Sequence, residues 1–184
     1  MPRCSWAEGD AVMSAYHDAE WGVPVRDPRM LWEMLMLEGF QAGLSWRTIL
    51  YRREGFRRAF DNFDPAIVAT YDDAKVEALM QDEGIIRARA KILATIGAAR
   101  IYEEMAAAGE DFSAWLWSFV DGEPQQGDGA SFPVSSPASE AMSKALKKRG
   151  FKFVGPVIVY AFMQAVGMVN DHAADCPQRK ASAA

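Results

Sequence analysis

Apolar positions recur three and four residues apart along most of the chain, the spacing that places side chains on one face of an α-helix. Leu31, Met34 and Leu35 keep this spacing up to about Phe40, behind Asp27-Pro28, a helix cap followed by proline in the first turn. Ser45 can cap a helix carrying Trp46, Ile49, Leu50 and Phe56. Asp64-Pro65 repeats the cap-and-proline signal, and Asp72 or Asp73 can cap a helix through Val76, Leu79 and Met80. The turn Gln81–Gly84 leads into a long helical pattern from about Arg87 to Ala108, with Gly109 as its stop. Phe112–Val120 reads as a short aromatic helix, and Asp121–Pro133, rich in Gly, Gln and Asp, as a surface loop. Pro137–Arg149 and Pro156–Val166 complete the helical set. No run alternates with period two, and two-residue hairpin turns are missing. The pattern predicts an all-α fold, one compact domain over residues 1–184 with a small, polar tail that frays after about residue 177.

Composition narrows the class. Of the 184 residues 50% are hydrophobic and 24% charged, which suits a soluble globular chain with a real core and excludes general disorder. Two cysteines exclude a disulfide scaffold. The least polar stretch, Phe153–Val169, is broken by Gly155, Pro156 and Gln164. It falls short of the roughly 18 uninterrupted apolar residues of a membrane span, so it reads as a core helix. No secretory signal is legible at Met1–Cys4, and the expected location is the cytoplasm.

Charge changes the picture further. The net charge of -5 argues against nucleic acid at first sight. The basic residues are segregated, however. Arg47, Arg52, Arg53, Arg57 and Arg58 lie in one window, Arg87, Arg89 and Lys91 in a second, and Lys144, Lys147, Lys148, Arg149 and Lys152 in a third, with Glu54 as the one acid among them. Such segregation can make a basic face on an acidic protein; it also suits ordinary solvated helix faces.

Four features can carry chemistry. The chain has two cysteines and two histidines in all: Cys4 and His17 near one end, His172 and Cys176 near the other. Two thiolates and two imidazoles make a complete tetrahedral zinc set with no open position, and the His172–Cys176 spacing shares one face if that segment is helical. Buried reduced cysteines and unrelated histidines would read the same way by spacing. Glu38 stands where the Leu31, Met34, Leu35 stripe calls for an apolar residue, so it is either a buried or pocket carboxylate or a rim residue at a helix end. Trp6, Tyr16, Trp21 and Trp46 fall in the same quarter of the chain and can stack on a flat heterocycle, or simply pack a core. The segment Gln81–Arg87 followed by Lys91-Ile92 can point backbone amides at a phosphate from a turn between helices, or merely connect them.

These residues sit in longer blocks: Cys4-Ser5-Trp6, Tyr16-His17-Asp18-x-Glu20-Trp21-Gly22-Val23-Pro24, Leu37 to Trp46, Gly84-Ile85-Ile86-Arg87, Trp117 to Val120, Ser143 to Gly155, and Val169-Asn170-Asp171-His172. In type and order they resemble the 3-methyladenine DNA glycosylase I family, from Cys4 to Cys176. The resemblance implies an all-helical DNA glycosylase of the helix-hairpin-helix class that flips and releases 3-methyladenine from double-stranded alkylated DNA. It implies one structural Zn2+ on Cys4, His17, His172 and Cys176. It places Glu38 as the catalytic carboxylate, with Tyr16, Trp46, Trp6 and Trp21 around the base. It puts Gly43-Leu44 at the duplex-probing turn and the hairpin of Gly84 and Arg87 on the DNA backbone; on such a protein the basic windows, Lys147 and Lys148 among them, are expected to meet phosphates. Phe40 stands where the family commonly has a glutamine-like residue. The family lacks the aspartate base that related glycosylases carry after the hairpin, and no covalent lysine intermediate, membrane or obligate protein partner is expected. The alternative is a zinc-stapled helical module that binds nucleic acid without catalysis.

Overall fold

The structure, a computed structural model, describes residues 3–181. Its helices begin where the sequence places capping side chains. Asp27 accepts from the Met30 amide at the start of α2 (Pro28–Gln41), Ser45 from Thr48 at α3 (Trp46–Ala59), and Asp64 from Ala66 at the short α4 (Pro65–Val68). Asp72 starts α5 (Asp73–Gln81), Asp111 starts α7 (Phe112–Trp117), and Ser136 and Ser139 form a reciprocal box at α8 (Pro137–Arg149). By contrast, α6 (Arg89–Ala107) and α9 (Pro156–Ala165) start without a side-chain cap among the described residues.

The central element is α2, which packs against α3, α6, α7 and α9. It buries Leu31, Trp32, Leu35, Met36, Leu37, Glu38, Gly39 and Phe40, so its last two turns are enclosed nearly all round. A helix surrounded on every side loses the polar face of an amphipathic one, and its carboxylate goes inside with the rest. Phe40 joins a file of rings, with Phe56 at 4.6 Å and Phe60 at 5.9 Å between centroids, so the residue that departs from the family pattern fills the core.

Several sequence expectations are corrected. A helix that the hydrophobic pattern concealed, α1 (Ala11–Ala19), is capped by Asp10, and its buried positions are Met13, Tyr16 and His17. The stripe is helical in spacing, but two of its three members are polar. The aromatic helix breaks into α7 and a 3-10 turn over Ser118–Val120. Within the expected loop, Gln125–Gln126 (β1) pairs in parallel with Val169–Asn170 (β2). Of the tail expected to fray after about residue 177, residues 182–184 lie outside the described residues. Gln178–Ala181 forms α10, and Arg179 donates to the carbonyls of His172 (2.7 Å) and Gly127. The segment from His172 to Cys176 is a turn, not a helix.

A close backbone approach fixes the connection between α5 and α6. A Cβ on Gly55 of α3 would lie 2.3 Å from the carbonyl oxygen of Gly84, and the Gly84 amide is held by Asp82 Oδ1 at 2.7 Å. From the other side, Lys91 Nζ donates to the carbonyls of Phe40 (2.8 Å) and Ala42 (2.6 Å), which satisfies the C-terminal end of α2. We expect Gly55→Ala to cost about 2 kcal/mol or more, because backbone must yield on both sides of the contact. Urea unfolding of the variant and parent measures the difference.

Candidate functional site

The four ligand-type residues converge. The ligand atoms of Cys4, His17, His172 and Cys176 all lie within 4.8 Å of one another, and all four residues are buried. Sγ of Cys176 is 3.5 Å from His17 Nε2 and 3.7 Å from His172 Nδ1, and Sγ of Cys4 is 3.8 Å from His172 Nδ1. The group can bind a metal ion. The other nitrogen of each ring is also placed: His17 Nδ1 meets Asp18 Oδ1 at 2.8 Å, and His172 Nε2 meets the Trp21 carbonyl at 3.1 Å. These acceptors set the tautomers so that the inward nitrogens carry lone pairs. Asp18 is held to about 2, mainly by the Arg3 guanidinium and then by His17. Burial pushes the Cys4 thiol up to about 11 and the His172 imidazole down to about 4, so His172 is neutral at pH 7, as a ligand must be.

Beside this cluster lies a cleft of about 420 Å³. All five residues that the sequence assigned to a base pocket line it: Trp6, Tyr16, Trp21, Glu38 and Trp46. Trp6 follows Cys4 on a 3-10 turn, Tyr16 is on α1, Glu38 on α2, and Trp46 opens α3. The rings form a connected wall, with Trp6 centred 5.0 Å from Trp21 and Tyr16 5.5 Å from Trp46. That wall continues into the metal-type cluster, because the Trp21 ring is 4.6 Å from His172 and Trp6 is 5.3 Å from His17.

Glu38 is the electrostatic singularity of the cleft. It is 3% exposed, and its Oε2 has no hydrogen-bond partner. Burial alone pushes its carboxyl up to about 8, so in the empty cleft it is largely protonated at pH 7. Two more buried atoms at this cleft lack partners, Gln41 Oε1 and Trp46 Nε1. Polar atoms are rarely left so inside a protein, and several of them around one cavity point to a ligand that completes them.

Sequence reasoning missed Gln41, Tyr160, Gln164 and the rim Phe132-Pro133-Val134, all of which line the cleft. Gln41 stands one helical turn past Glu38 on α2, and Gln164 is the polar break in the apolar run of α9. Those were the available signals. Phe132 and Val134 gave none, because their loop has no periodicity to read.

The residues assigned to DNA sit outside the cleft. Gly43 and Leu44 form the turn between α2 and α3; Gly43 has φ +80 and Leu44 is 43% exposed. Gly84 is in the α5–α6 turn, and Arg87, Lys147 and Lys148 are exposed. The basic windows are a poorer face than their sequence implied. Arg47, Arg53, Arg57, Arg89 and Arg149 are paired with acids, and Arg52 and Lys91 are bound to carbonyls. Arg58, Arg87, Lys144, Lys147, Lys148 and Lys152 make no ion pair or side-chain hydrogen bond among the described residues.

The chain as a whole is similar to known proteins. The model of the methyladenine glycosylase family matches residues 6–180. DNA-3-methyladenine glycosylase 1 of Escherichia coli is 54% identical over 179 residues, which is 96% of each chain. A crystal structure of 3-methyladenine DNA glycosylase I superposes with a TM-score of 0.94 at 54% identity, over 96% of this chain and 98% of that one. A variant of 3-methyladenine DNA glycosylase I in complex with 3-methyladenine superposes with a TM-score of 0.91 at 36% identity, over 97% and 98%. With the family model covering residues 6–180 and a relative 54% identical over 96% of the chain, the chain belongs to the methyladenine glycosylase family.

Proposed function

We propose that the protein hydrolyses the N-glycosidic bond of 3-methyladenine in alkylated DNA, leaving an abasic site for base excision repair. The observation that carries this reading is the buried Glu38 carboxyl, without a partner, inside an aromatic cleft roomy enough to admit a flipped base. Methylation at N3 makes adenine cationic and weakens its bond to the sugar. As C1′–N9 breaks, its electron pair passes to the base, which leaves neutral. Water adds its oxygen to C1′ and gives its proton to the solvent. The transition state has oxocarbenium character. So labile a bond asks the protein chiefly to extrude the nucleotide, hold the base and admit water.

Each residue has a part. Trp6, Trp46 and Trp21 offer π-faces to a cation, and Tyr16 adds a polar contact. A cation entering the cleft brings an opposite charge to Glu38, which favours the ionised carboxylate and a charge-assisted hydrogen bond from the base edge. Leu44 projects from its turn as an apolar wedge, with Gly43 supplying the left-handed bend. The α5–α6 turn serves as the hairpin: α6 starts without a side-chain cap, so its first amides remain available to a phosphate. Arg87, Lys147 and Lys148, three of the six exposed and unpaired cations of the basic windows among the described residues, join it.

We further infer that Cys4, His17, His172 and Cys176 hold zinc. Sulfur and nitrogen ligands on a tetrahedral zinc lie about 3.5 Å apart, given bond lengths of about 2.3 and 2.0 Å. The observed separations of 3.5 to 3.8 Å match that edge. When bound, the ion supplies structure rather than catalysis, since the protein provides all four ligands.

Four outcomes test this. Glu38→Gln should release 3-methyladenine from methylated DNA roughly tenfold to a hundredfold more slowly, the loss of about 1.5–3 kcal/mol for a charge-assisted hydrogen bond. Its affinity for abasic DNA should barely change. Because Glu38 in the folded state keeps its proton up to about 8, the parent should lose stability as pH rises from the ordinary carboxylate range through that value. Glu38→Gln should not, and unfolding curves across this range compare the two. Metal analysis should find one zinc per chain, and Cys176→Ser should lower the melting temperature. Reversing the charge of Lys147 and Lys148 should weaken binding to all duplexes alike and flatten its dependence on salt. Titration at several salt concentrations reads both.

A further inference from the structure

The wall of the cleft that α9 provides contains a second polar device. Tyr160 and Gln164, one turn apart on α9, both line the cleft and both donate to the same atom. Tyr160 Oη reaches Asp171 Oδ2 at 2.6 Å and Gln164 Nε2 reaches it at 2.8 Å. Asp171 is 2% exposed and comes from the turn between β2 and the metal-type cluster. A carboxylate oxygen only accepts, so it dictates which end of the Gln164 amide faces it. One of its two N–H groups is committed to Asp171, which turns the carbonyl oxygen away from that carboxylate. Gln164 Oε1 accepts no hydrogen bond among the described residues.

We propose that Gln164 is a specificity-determining residue that turns its carbonyl oxygen to the flipped base as an acceptor beside Glu38, and that Asp171 is the positioning residue that fixes this orientation. The proposal rests on the reading of the cleft as a base pocket. The chemistry selected is a base with an exocyclic amine on its edge. A base carrying an oxo group there would set two acceptors against each other. Asp171 adjoins the ligand His172 in the chain, so the structure that ties the chain ends also sets the polarity of the pocket wall.

The test is binding of two free bases, 3-methyladenine and its 6-oxo counterpart 3-methylhypoxanthine, to full-length parent, Gln164→Met and Asp171→Asn, each checked by thermal melting. The parent should prefer the amino base. Gln164→Met keeps the length and removes the amide, and should lower affinity for the amino base up to about tenfold while sparing the oxo base. Asp171→Asn can donate to Gln164 and let its amide turn round, so it should raise the oxo base relative to the amino base. A merely structural role would weaken both bases equally. An unchanged ratio in Gln164→Met, or equal losses for both bases in both variants, overturns the proposal. If Asp171→Asn fails to fold, the ratio in Gln164→Met decides alone. A parent that neither releases 3-methyladenine from DNA nor binds either base overturns the reading of the pocket, and this inference with it.

Discussion

Residues 4 and 176 share one small volume, and the pocket depends on that closure. Four ligand atoms within 4.8 Å of one another join the N-terminal turn, α1 and the segment after β2. Each of these segments is short and would hold its place poorly alone. The 3-10 turn that carries Trp6 has three residues, and α1 has nine. Isolated helices of that length are marginal in water. Yet Trp6, Tyr16 and Trp21 must stand at defined angles around the cleft, and each lies within four residues of a ligand. The Cys/His cluster thus converts three frail segments into a wall. Arg179 adds a second tie, from α10 to the His172 and Gly127 carbonyls.

The opposite wall is built on another principle. α2 runs through the middle of the molecule, and its last turns are buried on nearly all sides. A carboxylate placed there has water taken from it by the fold rather than by any local feature, which is why burial alone accounts for its raised pKa. The helix is also well anchored: Asp27 caps its start, and Lys91 binds its terminal carbonyls. Lys91 belongs by sequence to a basic window, but its ammonium is turned inward and burial lowers its pKa. Its role is to hold the base of the turn that exposes Leu44.

What was legible in the sequence follows the reach of its signals. Capping residues and the period of the apolar stripe are local, and they place α2, α5 and α8, and the start of α3, within a residue or two. The set of two cysteines and two histidines was legible because the chain has no others to confuse it. α1 was hidden because its inward face is made of Tyr16 and His17, residues selected for the site rather than for hydrophobicity. The basic face was overread because ion pairs are tertiary facts: Arg53 meets Glu20, and Arg149 meets Glu110, far along the chain. Gln164 looked like a blemish in a core helix until Asp171 was seen to hold it.

The protonated state of Glu38 bears on how a damaged base is separated from the great excess of normal ones. A carboxylate ionised in the empty cleft would attract any positive group and would be costly to keep without a partner. A neutral carboxyl costs less and gives up its proton when a cation arrives to pair with the charge. Normal adenine is uncharged; it can stack on the tryptophans but lacks the cation–π attraction, a term of about 0.5–2 kcal/mol that a carboxylate partner adds to. Charge is the property that methylation at N3 changes most, and it is the same property that makes the bond labile. In the proposed mechanism recognition and reactivity therefore rest on one feature of the substrate, met by a carboxyl that the fold has deprived of water.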